Sequence, residues 1–292
     1  MKKEIIGIIG GTGLGDRLEQ LLSSKAKSVS VSTPFGDPSA PIMLAALGNF
    51  DIAFINRHGK GHKFSPSAVP YAANIYALKK LGVQSLLATG AVGSLREEIA
   101  PRDIVLVDQI IDKTHRPQKS FFDGISAVHV EMAHPSCSRL RKKLIHAAST
   151  LDFKTHPRGT YVCMEGPQFS TRAESLMHRS WGGDLIGMTA MPEAKLAREA
   201  QMCYTLIALA SDYDCWRPHE EQKDSQTLIQ EILGNLNAAC DNTAALIDAF
   251  LTQTDTLSDE MCPCRKSLEL AVWTAQDAIS KDDQKKLTPL FE

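Results

Sequence analysis

Asp212 and Asp214, in Tyr204-Thr-Leu-Ile-Ala-Leu-Ala-Ser-Asp-Tyr-Asp-Cys-Trp216, are the residues of this chain whose spacing speaks most directly of chemistry. The apolar run before them has the character of a buried β-strand, and side chains two apart on a strand share a face. Both carboxylates then meet one ligand. Like charges this close resist ionising together, so one acid can donate a hydrogen bond while the other accepts. That combination suits the edge of an adenine, which accepts at N7 and donates from its 6-amino group. A strand-end acid pair also suits Mg²⁺, and Asp-x-Asp alone does not choose between them.

Other strand ends carry groups fit for an anion. Ile5-Ile-Gly-Ile-Ile9 runs into Gly10-Gly11-Thr12-Gly13, where bare backbone can approach an oxyanion closely and Thr12 adds a hydroxyl. A strict dinucleotide fingerprint would require a third glycine at position 16, which is Asp16, so an oxidoreductase reading is weakened. Asp51-Ile-Ala-Phe-Ile55 ends in Asn56-Arg57-His58-Gly59. The fork of Arg57 matches phosphate oxygens, and His58 is read as a further phosphate donor. His58 and His62 have the outline of a metal pair, but the glycines between them spoil the helix such spacing needs. Ser85-Leu-Leu-Ala-Thr89 ends in Gly90-Ala91-Val-Gly93-Ser94, offering the backbone N–H groups of Gly90 and Ala91, and Asp184-Leu-Ile-Gly-Met188 ends in Thr189.

The elements that must position these groups read as an α/β fold: one domain with a twisted mixed β-sheet covered by helices. Strand-like runs lie near 4–9, 42–47, 51–55, 85–89, 103–107, 160–164, 184–188 and 203–211. Helical periodicity is expected over about 70–81, 136–151, 170–180, 191–201, 225–251 and 265–281. We therefore expect a catalytic domain over 1–250 and a helical extension over 251–292 that carries Cys262-Pro-Cys264.

A net charge of −2 over 292 residues leaves no basic footprint, which argues against a nucleic-acid partner. The opening Met-Lys-Lys-Glu-Ile-Ile-Gly is too glycine-rich for a signal segment and no stretch approaches a membrane span, so a cytoplasmic location is expected. Seven cysteines at 137, 163, 203, 215, 240, 262 and 264 do not form a secreted disulfide framework. Cys262 and Cys264 could close a strained disulfide or join a metal site, but no second pair or nearby histidine completes zinc spacing, so inert thiols and no metal are expected.

Taken together, Gly-Gly-Thr-Gly, Asn-Arg-His-Gly, Met164-Glu-Gly-Pro-Gln-Phe-Ser-Thr-Arg172, Met188-Thr-Ala-Met-Pro-Glu193 and Ser-Asp-Tyr-Asp-Cys-Trp resemble the trimeric purine nucleoside phosphorylases, in order, from about Ile5 to about Glu221. Within that family the resemblance is nearest to members acting on 5′-methylthioadenosine. It implies phosphate-dependent cleavage of the purine N-glycosidic bond, to adenine and 5-methylthioribose 1-phosphate, with inorganic phosphate as co-substrate and no metal or organic cofactor. Thr12, Arg57, His58, Gly90, Ala91 and Thr189 would hold phosphate. Asp212 would donate to N7 and Asp214 would accept from the 6-amino group. Phe169 and Ser170 would line the base, Met188 the ribose and Leu228 the alkylthio group. His129 would reach the 5′ end from a neighbouring subunit, which makes a homotrimer the expected assembly.

The chain departs from the pattern at Gly90, where relatives often carry a hydroxyl, at Gly187, where many carry Asn, and at Ser225, which aligns with an apolar position. The alternatives are a phosphorylase acting on adenosine, inosine or methylthioinosine, and a non-catalytic purine-binding homologue. Sites for 6-oxopurines usually place Asn where Asp212 stands, because an amide can donate to N7 and also bond a 6-oxo group.

Overall fold

Among the described residues eleven strands join in one mixed sheet, built as the alternation of apolar and glycine-rich segments requires. The computed structural model describes residues 3–15, 17–18, 26–217, 225–257 and 262–292. Asp16 and the stretch 218–224, where the family resemblance ends, lie outside the described residues. The strands are β1 (Glu4–Gly10), β2 (Lys27–Val29), β3 (Ile42–Leu47), β4 (Phe50–Asn56), β5 (Ser85–Ser94), β6 (Ile104–Leu106), β7 (Gln109–Lys113), β8 (Thr155–His156), β9 (Thr160–Met164), β10 (Leu185–Gly187) and β11 (Cys203–Tyr213). Their order is β2-β3-β4-β1-β5-β10-β9-β7, with β11 on β5, β6 on β11 and β8 on β6. β5 runs parallel to β1 and β11 and antiparallel to β10.

Period-two alternation decides what each face buries. Along β11, Tyr204, Leu206, Ala208 and Ala210 enter one apolar cluster, while Cys203, Ile207 and Leu209 enter the other. The helix Ala190–Glu199 covers the first face, and Ser138–Ala148 with Ser225–Gln253 covers the second. On the helix Ser225–Gln253, Leu236, Ala239, Leu246 and Phe250 are buried, but Ile229 and Leu233 in its first turns are exposed.

Two expectations are corrected. No helix forms over 265–281: short 3₁₀ turns at Pro263–Lys266 and Gln276–Ala278 precede the helix Lys281–Phe291. Between the turns the backbone bonds to the segment 127–129 instead. His129 N–H donates to Ala271 O at 2.9 Å and Trp273 N–H to Ala127 O at 3.0 Å, with a bridge between Val128 and Val272. The β-branched and aromatic run Val272-Trp273-Thr274 favours that extended pairing over a helix. Second, β5 does not stop at Thr89 but continues through Ser94, paired with β11 along its whole length. The C-terminal segment contributes Leu268, Ala271, Leu287 and Leu290 to the first cluster and Leu257, Cys262 and Cys264 to the second.

Candidate functional site

A gap in the sheet makes the site. β1 pairs with β5 as far as Ala88, and β10 pairs with it from Gly93, so between these residues one edge of β5 has no strand partner among the described residues. A cavity of about 520 Å³ opens there. Its size falls within the range of small-ligand sites. Gly11, Thr12, Arg57, His58, Gly90, Ala91, Phe169, Ser170, Met188, Thr189, Asp212 and Asp214 all line it, although they come from segments scattered along the chain.

The glycine turn after β1 is fixed on β5: Gly11 N–H donates to Thr89 Oγ1 at 3.1 Å, and Arg57 N–H donates to Gly10 O at 2.9 Å. A Cβ on Gly11 would lie 2.6 Å from Thr89 O and 3.0 Å from Arg57 Nη1, so only glycine lets the turn pack this closely. Arg57 is fully buried. Its Nε and Nη2 donate to the Glu193 carboxylate at 2.7 and 2.8 Å, and its Nη1 donates to Thr89 O at 2.6 Å. Burial opposes the guanidinium charge, and Glu193 more than offsets this, holding Arg57 above its ordinary value. The Tyr204 hydroxyl donates to the same carboxylate at 3.0 Å, and burial followed by the charge of Glu193 pushes its phenol well upward.

His58 departs from its expected role as a plain donor. Its Nδ1 lies 2.9 Å from Phe64 O, and a carbonyl only accepts, so Nδ1 carries the proton of a neutral ring. Burial, then the charge of Arg57, lowers its pKa to about 4. Nε2 of the neutral ring is then an acceptor. The ring stacks on His62 with centroids 4.1 Å apart.

Asp212 and Asp214 reach the cavity through an irregularity. The register of β11 against β5 shifts between Ala210 and Asp212, a bulge at Ser211 that re-aims the strand end. Ser211 Oγ donates to Asp212 Oδ1 at 2.6 Å. Asp214 lies just past β11, and its N–H donates to Ser94 O at 2.9 Å. Its Oδ2 is buried and has no hydrogen-bond partner among the described residues. Asp212 pairs with Gly93, and the glycine turn is tied at Thr89. Four residues of strand separate these levels, roughly 13 Å by the rise of a β-strand.

Two of the expected residues do not line this cavity, which for His129, expected to serve a neighbour's site, is no departure. His129 is exposed and packs edge-on against Trp273, outside this cavity. Leu228 does not line it; Ile232 and Leu236 of the same helix do. Phe169 lines the cavity yet is 86% exposed, on the loop before Thr171. That loop is anchored where Thr171 and Glu174 cap the helix Arg172–Ser180 reciprocally. Glu193 received no role from sequence, although a fully buried arginine demands a carboxylate and Glu193 stands in a quoted motif. Tyr161 also went unread: its hydroxyl accepts from Thr189 N–H at 3.2 Å. A Cβ on Gly187 would collide with that hydroxyl, which is the physical reason for glycine there.

A family model described as Phosphorylase superfamily matches residues 5–252. The S-methyl-5′-thioadenosine phosphorylase of Cereibacter sphaeroides is 47% identical over 277 residues, covering 94% of this chain and 92% of that protein. Among solved structures, a methylthioadenosine phosphorylase from an Antarctic soil metagenomic library superposes with a TM-score of 0.89 at 41% identity, covering 100% of both chains. A variant of the adenosine/methylthioadenosine phosphorylase from Schistosoma mansoni, in complex with methylthioadenosine, gives 0.81 at 34% identity, covering 91% of this chain and 97% of that one.

Proposed function

The chain belongs to the phosphorylase superfamily, and from that premise we propose that it cleaves 5′-methylthioadenosine with inorganic phosphate, releasing adenine and 5-methylthioribose 1-phosphate. The observation that carries the reading is one cavity lined by both the strand ends we assign to phosphate and the two aspartates. Their separation along β5, roughly 13 Å by strand rise, leaves room for a ribose between phosphate and base.

As the bond from C1′ to N9 breaks, positive charge grows on the sugar and negative charge on the purine. A phosphate oxygen attacks C1′, and the bonding electrons pass to the base, which is protonated at N7. We assign Thr12, Arg57, His58, Thr189 and the backbone of Gly90 and Ala91 to phosphate. Because Glu193 neutralises Arg57, the arginine acts as an aimed donor more than as an unbalanced charge. Neutral His58 can accept from the hydroxyl of hydrogen phosphate. We assign Asp212 to N7 and Asp214 to the 6-amino group, with Phe169 and Ser170 along the base and Met188 along the ribose. The chemistry so written calls for no metal or organic cofactor.

The apolar residues that the helix Ser225–Gln253 turns into the cavity, Ile232 and Leu236, suit a methylthio group better than a 5′-hydroxyl. They take the part expected of Leu228. Leu270 and Trp273 are 91% and 74% exposed, Trp273 edge-on to His129, and we assign them to a subunit contact. A homotrimer would bring His129 to a neighbour's 5′ end. Sedimentation that found a fully active monomer would remove that role. No helix among the described residues is long and apolar enough to cross a membrane, and we infer a cytoplasmic enzyme.

The deciding experiment is purine release from methylthioadenosine, adenosine and methylthioinosine, each with and without phosphate. We expect release only with phosphate, fastest from methylthioadenosine. Equal rates in phosphate-free buffer would sink the phosphorolytic reading.

A further inference from the structure

We infer that Cys137, Cys203, Cys262 and Cys264 form a closed tetrahedral thiolate site for one zinc ion, which ties the C-terminal segment to the root of β11. No second cysteine pair stands near Cys262 and Cys264 in sequence. The fold supplies that pair from far away. Cys137 precedes the helix Ser138–Ala148, Cys203 opens β11, and Cys262 and Cys264 flank Pro263 at the start of a 3₁₀ turn. All four are buried, and their sulfurs lie within 4.8 Å of one another.

The sulfur separations are in the range that a shared metal ion requires. Zinc–sulfur bonds of about 2.3 Å in a tetrahedron put the sulfurs about 3.8 Å apart. Cys137 and Cys262 sulfurs are 3.8 Å apart, and those of Cys203 and Cys262 are 3.4 Å apart. The anchoring is backbone-deep, since Cys137 N–H donates to Tyr204 O at 2.7 Å and Arg265 N–H to Cys262 O at 3.0 Å.

The surroundings supply what a doubly negative zinc tetrathiolate needs. Arg139 Nη2 lies 3.4 Å from the Cys203 sulfur, and Arg139 and Arg265 both donate to Leu257 O, which holds the two guanidinium groups beside the cluster. The Nε of each is buried without a partner among the described residues. Positive groups behind thiolate ligands stabilise the charged form. Four sulfur ligands, all buried, leave no open position, the mark of a structural rather than a catalytic zinc. The site lies at the start of β11, nine residues before Asp212, or roughly 30 Å along the strand. Its metal takes no part in the reaction at the other end.

The test uses the full-length protein purified under reductant. Elemental analysis should find about one zinc per chain that survives dialysis against EDTA and is released by a mercurial. Cobalt substitution should give the intense visible bands and near-ultraviolet charge transfer of a tetrahedral cobalt tetrathiolate. Cys264→Ser should lower both zinc content and melting temperature while leaving kcat on methylthioadenosine within about twofold. Should that variant fail to fold, the stoichiometry and cobalt spectrum of the unaltered protein still decide. The proposal is overturned by iron in place of zinc or by reduced protein that takes up no zinc when titrated.

Discussion

Arg57 and Glu193 form a two-bond ion pair with both side chains out of solvent, Nε to Oε2 at 2.7 Å and Nη2 to Oε1 at 2.8 Å. The pair joins the end of β4, where Arg57 lines the cavity, to the helix after β10. It makes Arg57 a structural member as well as a residue proposed to hold phosphate.

From sequence, Arg57→Ala is expected mainly to weaken phosphate binding. The pair adds a second effect, because removing one partner strands a buried charge, at a cost of about 3–5 kcal/mol. Arg57→Ala and Glu193→Ala should therefore both unfold at markedly lower denaturant concentration, with similar losses. A change below about 1 kcal/mol in either variant would show that the pair is not what holds these elements together.

The His58 shift predicts a pH dependence with a definite sign. Its folded pKa, lowered to about 4, lies below the ordinary value of 6.5, so the unfolded chain binds the proton more readily. Stability from this group is full above about pH 6.5 and is lost as pH falls toward 4, with no further loss below. Phosphate-free unfolding curves of the unaltered protein and His58→Gln, measured between pH 7.5 and 4, isolate the effect. Parallel pH profiles for the two would mean that His58 titrates normally.

Gly90 sits where the sequence resemblance leads to the expectation of a hydroxyl, and the site has space for one. A Cβ there would lie 3.5 Å from Thr189 Oγ1 and 3.9 Å from Leu206 Cδ1, ordinary contact distances. Gly90→Ser should fold normally and lower the phosphate KM, since a hydrogen bond to a charged group contributes about 1.5–3 kcal/mol at best. An unchanged KM would place the phosphate away from β5. Gly187→Asn should by contrast destabilise the fold, through the collision with Tyr161.

How much of this was legible follows from the range of the forces involved. Strand ends delivering Thr12, Arg57, Thr189 and the aspartates were readable because apolar runs and glycine turns are local signals. The continuation of β5 past Thr89 was not, because Gly90 and Gly93 look like a turn until β11 pairs with them. Nor was Glu193, whose meaning depends on a partner 136 positions away. The false helix over 265–281 and the missed cysteine pair share one cause: each segment's structure is set by chain that packs on it from elsewhere, residues 127–129 in one case, Cys137 and Cys203 in the other.

Asp214 and Asp212 give the sharpest prediction, because they separate stability from activity. Asp214 Oδ2 is buried without a partner among the described residues, a desolvated acceptor that costs stability until something donates to it. A ligand's 6-amino group is such a donor. Asp214→Ala should thus leave the ligand-free protein as stable as before, or more so, while kcat/KM on methylthioadenosine falls on the order of 10²-fold. Asp212→Asn changes the group assigned to N7 toward the pattern of 6-oxopurine sites, so activity on methylthioadenosine should fall much more than activity on methylthioinosine. Preference should shift, not merely decline. Steady-state kinetics on both nucleosides, with unfolding curves of both variants, supply the readout. An equal, small decrease on the two substrates in Asp212→Asn, or a large loss of stability in Asp214→Ala, would mean that these carboxylates serve the fold and not the purine.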